Sequence, residues 1–152
     1  MARVEAPVLY ELRRRVLRGN SPTSNVEDPR DFDSTSLHFG GFYDDVLVVS
    51  ASFFRATSPI NPERESYQLR YMATDFDAQG RGYGALVMSE AREALAETGA
   101  TELWANARDS ALGFYRSTGW TLVAGSEHLS PETLLPHTII VLRLDLAHSD
   151  EH

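Results

Sequence analysis

The chain has 152 residues, 42% hydrophobic and 24% charged, a composition that fits one globular domain with a substantial core. A formal net charge of −8 argues against nonspecific nucleic-acid binding, which uses a basic surface to displace counterions, and no apolar run approaches the length of a membrane span. All 14 Lys-plus-Arg positions are arginine and there is no cysteine, which excludes a Schiff-base lysine, a covalent cysteine intermediate and a thiolate metal site. The predicted elements begin with a helix from Pro7 to Arg18, with Val8, Leu9, Leu12 and Val16 on one face and Gly19 as its stop. Asn20 to Asp33 is polar and reads as a loop with room for a short helical turn.

Ser36–Tyr43 and Val46–Phe54 read as strands joined at Asp44-Asp45, an antiparallel hairpin in which Gly40-Gly41 marks a bulge or a close backbone approach. Ser58 to Glu65 is a proline-containing loop, and Tyr67–Thr74 is the next strand. A helix from about Gly82 to Thr98 follows, its buried stripe formed by Leu86, Val87, Ala91, Ala94 and Leu95. Glu102–Ala107 is a strand, and Asp109 suits the N-cap of a short helix Ser110–Thr118 closed by Gly119. Trp120–Ala124 and Thr138–Leu146 complete the strands, and Ala147–His152 reads as a frayed tail. Tyr67–Thr74, the long helix and Glu102–Ala107 form one right-handed βαβ unit, while the hairpins make the sheet mixed. The expected fold is a single α/β domain over residues 1–152, with helices on both faces of one mixed sheet.

The most informative stretch is Gln79-Gly80-Arg81-Gly82-Tyr83-Gly84. Alternate glycines leave the backbone nearly bare where a helix opens, and unpaired N–H groups together with the helix dipole favour an anion there. A nucleoside-triphosphate loop needs a lysine that this chain lacks. A dinucleotide fingerprint matches the spacing of Gly80, Gly82 and Ala85, but four residues, Asp75 to Ala78, separate it from its strand, and Glu102 begins rather than ends the following strand.

The same stretch resembles the Gln/Arg-x-x-Gly-x-Gly/Ala signature of the GNAT family of acyl-CoA N-acyltransferases. Asn106, Ala111, Phe114-Tyr115 and Gly119-Trp120 resemble that family's second segment, and the likeness runs from about Val8 to Leu146. The resemblance implies a GNAT fold with a splayed parallel strand pair, and acetyl-CoA as acyl donor without a metal. Gln79, Gly80, Arg81, Gly82, Tyr83, Gly84 and Ala85 would then form the pyrophosphate site, Met72, Ala73 and Thr74 would pair with the pantetheine arm, and Asn106 would bond to it. Tyr115 would act as the general acid on the departing sulfur, and a backbone N–H of Met72–Thr74 would polarise the thioester oxygen.

Histone-type members carry a glutamate eleven residues before the loop's glutamine, where this chain has Gln68, so the proton acceptor is open between a water chain and another residue, with Glu65, His38, Glu127 and His137 as candidates. Glu127-His128-Leu129 to Leu135-Pro136-His137 also resembles a run before the final strand of some small bacterial members. The acceptor is an amine that the sequence does not name: a small amine, an aminoglycoside, an amino acid and a protein N-terminus all fit. A binding module that senses acyl-CoA without turnover is the competing class. The expected location is cytoplasmic, with no nucleic-acid or membrane partner, and the resemblance allows a homodimer for which the sequence carries no signal.

Overall fold

The structure, a computed structural model, describes residues 1–19, 25–131 and 133–144. The expected start of the polar loop at Asn20, the end of the last strand at Leu146 and the tail Ala147–His152 lie outside the described residues. The chain forms two compact units, residues 1–55 with 69–94 and residues 56–68 with 95–152. Among the described residues no helix is long and apolar enough to cross a membrane.

In the first unit, strand β1 (Ala2–Arg3) pairs antiparallel with β2 (Leu37–Tyr43), which pairs antiparallel with β3 (Val46–Arg55). The turn residues Asp44 and Asp45 have φ of 50° and 64°, the two left-handed positions of a type I′ hairpin turn that small polar residues tolerate. The expected irregularity at Gly40-Gly41 is present. The register shifts after Gly41, leaving Val48 unpaired, and a Cβ on Gly41 would lie 2.5 Å from Val49 Cγ1. Val48–Phe54 are all buried, so both faces of β3 are covered.

Helix α1 spans residues 6–17: a tight turn Ala6–Leu9, an α-helical turn Tyr10–Leu12 and a widened π-type turn Arg13–Leu17. Leu9 and Leu12 are buried as expected, but Val8 is exposed and Val16 half-buried; the other buried residues are Ala6 and Arg13. Gly19, with φ of 62°, follows the helix as its stop.

Strand β4 (Ser66–Thr74) and helix α2 (Tyr83–Glu97) each run from one unit into the other. In the second unit, Ser66–Gln68 of β4 pairs parallel with Glu102–Trp104 of β5 (Glu102–Arg108), the expected βαβ pairing. Strand β8 (Pro136–Arg143) lies antiparallel on β5, and β6 (Thr121–Leu122) and β7 (His128–Leu129) pair with β8. Helix α3 spans residues 109–117, a 3₁₀ turn followed by Leu112–Ser117.

Asp109 is not the cap of α3; it lies inside the first turn, and its carboxylate accepts a hydrogen bond from Thr138 Oγ1 at 2.8 Å. In the stripe of α2, Val87, Ala91 and Leu95 are buried as expected, Ala94 is half-buried and Leu86 is exposed, while Met88 is buried beside them. Glu102 is fully buried and consumed by structure: Asn61 Nδ2 donates to both its oxygens at 2.9 and 3.1 Å, beside Arg64 at 3.8 Å.

Candidate active site

The predicted site residues on the first unit fall in two runs, Met72–Thr74 and Gln79–Ala85. Within β4 the backbone of Tyr71 adopts φ of 58°, a left-handed conformation that is an outlier for a bulky residue and costs about 1–3 kcal/mol. The surrounding polar core over-determines it. The Arg13 guanidinium lies 4.0 Å from the Tyr71 ring centroid and that of Arg70 lies 4.6 Å from it; Phe54 meets the ring edge-on, and its hydroxyl donates to Asp28 at 3.2 Å. A conformation disfavoured locally is thus imposed by packing, immediately before Met72, Ala73 and Thr74.

Arg13, although 1% exposed, is well supplied with acceptors. It donates to both oxygens of Asp31 (3.0 and 3.1 Å), to the Val26 carbonyl (2.8 Å) and to Ser52 Oγ (2.8 Å). His38 Nε2 faces the Asp31 carbonyl at 2.9 Å and must donate to it, so Nδ1 accepts from Ser52 Oγ at 2.7 Å. Both ring nitrogens are engaged, which removes His38 from the candidate bases. Glu65 and Glu127 are exposed, and Gln68 is buried in β4.

Beyond Thr74 the chain is locked before it reaches the glycines. Asp75 donates its N–H to the Val48 carbonyl (2.8 Å), its carboxylate takes two bonds from Arg15 (2.9 and 3.1 Å), and it caps the turn Phe76–Ala78. Hydrogen bonds from Arg15 hold the Asp75 carboxyl below its ordinary range. Gln79 Nε2 donates to the Thr74 carbonyl at 3.2 Å, so this glutamine closes the loop and occupies one of the backbone groups expected to meet pantetheine.

Gly80 and Gly82 have φ of 79° and 82°, and a Cβ at either would meet nothing within 4 Å. Conformation, not crowding, therefore demands glycine here. At the start of α2 the Leu86 N–H bonds to the Gly82 carbonyl at 3.1 Å, so the N–H groups of Tyr83, Gly84 and Ala85 precede this bond and face out of the helix. Arg81 is exposed on the loop.

In the second unit, Asn106 lies exposed on β5, opposite Ile139. Tyr115 is buried on α3 between Phe114 and Trp120, ring centroids at 5.2 and 5.6 Å. Its hydroxyl has no hydrogen-bond partner among the described residues, and burial pushes the phenol well above its ordinary pKa. The group therefore stays protonated at neutral pH, the state a proton donor needs.

The family model of the acetyltransferase (GNAT) family matches residues 6–120. The chain belongs to that family. It is 35% identical over 111 residues to the uncharacterized N-acetyltransferase YitI of Bacillus subtilis (strain 168), covering 73% of this chain and 74% of that protein. Its fold is shared by an aminoglycoside 6'-N-acetyltransferase solved with coenzyme A (TM-score 0.73, 12% identity, 95% of this chain and 97% of that one). Escherichia coli ElaA shares it too (TM-score 0.70, 20% identity, 90% and 88%). This GNAT protein is an N-acetyltransferase with a coenzyme A-based donor and an amine acceptor.

The backbone conformation of Tyr71 and the buried chain Arg13–Asp31–Ser52 were not foreseen from the sequence, and His38 was read only as a candidate base. The available signal was Arg13 itself, a charge placed on the apolar face of α1 beside Leu9 and Leu12.

Proposed function

We propose that this GNAT enzyme transfers the acetyl group of acetyl-CoA to a primary amine by direct attack, in the cytoplasm, with the glycine loop as the pyrophosphate site. The observation that carries this reading is the pair of left-handed glycines, Gly80 and Gly82, followed by three outward N–H groups at the start of α2. Such a cradle binds a diphosphate without a metal or a lysine, and Arg81 adds a charge beside it. Met72, Ala73 and Thr74 pair with the pantetheine arm through their backbone, less the Thr74 carbonyl, and Asn106 bonds to the same arm.

The neutral amine attacks the thioester carbon while a backbone N–H of the Met72–Thr74 segment stabilises the developing oxyanion. As the C–S bond breaks, sulfur takes the phenolic proton of Tyr115, and the phenolate recovers one from the new amide nitrogen. The protonated hydroxyl of Tyr115, without a hydrogen-bond partner among the described residues, supports this role.

The test is thiol release from acetyl-CoA across a panel of amines, with Tyr115→Phe beside the wild type. Release with at least one amine is expected, with kcat lowered ~10²–10⁴-fold in the variant because general-acid assistance is lost. Equal rates for the two proteins would remove Tyr115 from the mechanism. Tight coenzyme A binding with no thiol release from any amine would instead indicate a sensor.

A further inference from the structure

Resting on the reading above, we propose that His137 is the general base that deprotonates the acceptor ammonium. Its Nδ1 lies 2.8 Å from the Leu135 carbonyl, and because a carbonyl oxygen only accepts, Nδ1 carries the proton. In the neutral ring this leaves the lone pair on Nε2, which has no partner among the described residues. A backbone bond that fixes the tautomer and the ring orientation is what a positioned base requires.

The strand register places this nitrogen's ring on the site face of the sheet. Asn106 pairs with Ile139 and Arg108 with His137, and residues two apart share a face. Asn106, Arg108, Ile139 and His137 therefore line one side, with His137 diagonal to Asn106 at a Cβ separation of roughly 7–8 Å. The opposite side is sealed, with Ala105, Ala107, Thr138 and Ile140 all buried; on the site side Asn106 is exposed, Arg108 and Ile139 are half-buried and His137 is buried. The surrounding hairpin is pinned, since Ser126 Oγ accepts from the Ile139 N–H at 3.0 Å and donates to the Val123 carbonyl at 2.6 Å.

His128 is the cross-strand partner of His137 on β7, ring centroids 6.0 Å apart, with its own Nδ1 bound to the Ser126 carbonyl at 2.8 Å. Arg108 is the partner on β5, Asp109 is committed to Thr138, and exposed Glu127 precedes His128. The other candidates do not compete: both nitrogens of His38 are used, and Glu65 and Glu127 are exposed.

In the proposed step the ammonium N–H bond breaks, its proton passes to Nε2 to give an imidazolium, and the freed amine attacks the thioester carbon. The imidazolium later loses that proton to solvent.

The experiment compares wild type with His137→Asn, whose amide nitrogen can keep the bond to Leu135. Two acceptors are used: n-butylamine, a cation at pH 7, and methoxyamine, already neutral there. The variant is expected to lose ~10²-fold in kcat/KM with n-butylamine, the typical worth of a positioned base, and to stay within about threefold with methoxyamine. The acid limb of the n-butylamine pH profile should vanish in the variant. Equal losses with both amines, or no loss with n-butylamine, would overturn the assignment. Calorimetric titration with coenzyme A separates the two readings. Unchanged binding in the variant confines any failure to the base, whereas a wild type that binds no coenzyme A overturns the donor site and this proposal together.

Discussion

At the scale of single residues, the chain uses buried charge to hold backbone. Asp28 accepts bonds from the Arg30 backbone N–H (2.9 Å), Nε (2.9 Å) and Nη2 (3.0 Å), and from Arg70 and Tyr71. Burial alone would raise this carboxyl; the hydrogen bonds from Arg30 and the charges of Arg30 and Arg70 outweigh it and hold the group at about 2. Because that is below the value of an unfolded aspartate, Asp28 stabilises the fold fully above about pH 4 and progressively less as pH falls toward 2, a loss of about 2 kcal/mol. Urea unfolding at pH 7 and pH 2.5 should show this increment in wild type and not in Asp28→Asn; an equal pH response in both would contradict it. Since Asp28 also holds the Tyr71 hydroxyl, acid should loosen β4 at the residue that precedes the proposed thioester contacts.

Elements differ in how much of them the sequence announces. The hairpin was legible because Asp44-Asp45 is small and polar between two apolar runs, and α2 because its glycine entry and apolar spacing agree. Strands β1 and β7 were not, since two-residue segments have no periodicity and exist only because β2 and β8 offer them a ladder. Leu86 misled for another reason: apolar side chains are common on surfaces, so spacing alone cannot say which edge of a stripe is covered. The pair Leu86 and Met88 tests this directly. Leu86→Glu should change stability by no more than about 0.5 kcal/mol, whereas Met88→Ala, at a fully buried position, should cost about 2–5 kcal/mol in chemical denaturation. Similar costs for both would mean that the exposed face of α2 is covered.

For the whole molecule, the order of elements and the donor loop were readable because both rest on local chemistry: glycines, caps and apolar runs. The buried polar chain was not, because its residues take their roles from partners far along the chain, as Arg13 does from Asp31 and Ser52. The central claim is that the backbone of the glycine loop holds the coenzyme A pyrophosphate, and calorimetric titration of Gly82→Ala tests it most directly. Nothing lies within 4 Å of a Cβ at this position, so the fold should persist, while φ of 82° strains any alanine. Coenzyme A affinity is predicted to fall about tenfold or more, with the weaker binding of pantetheine, which lacks the pyrophosphate, unchanged. Equal effects on both ligands, or none on coenzyme A, would contradict the account.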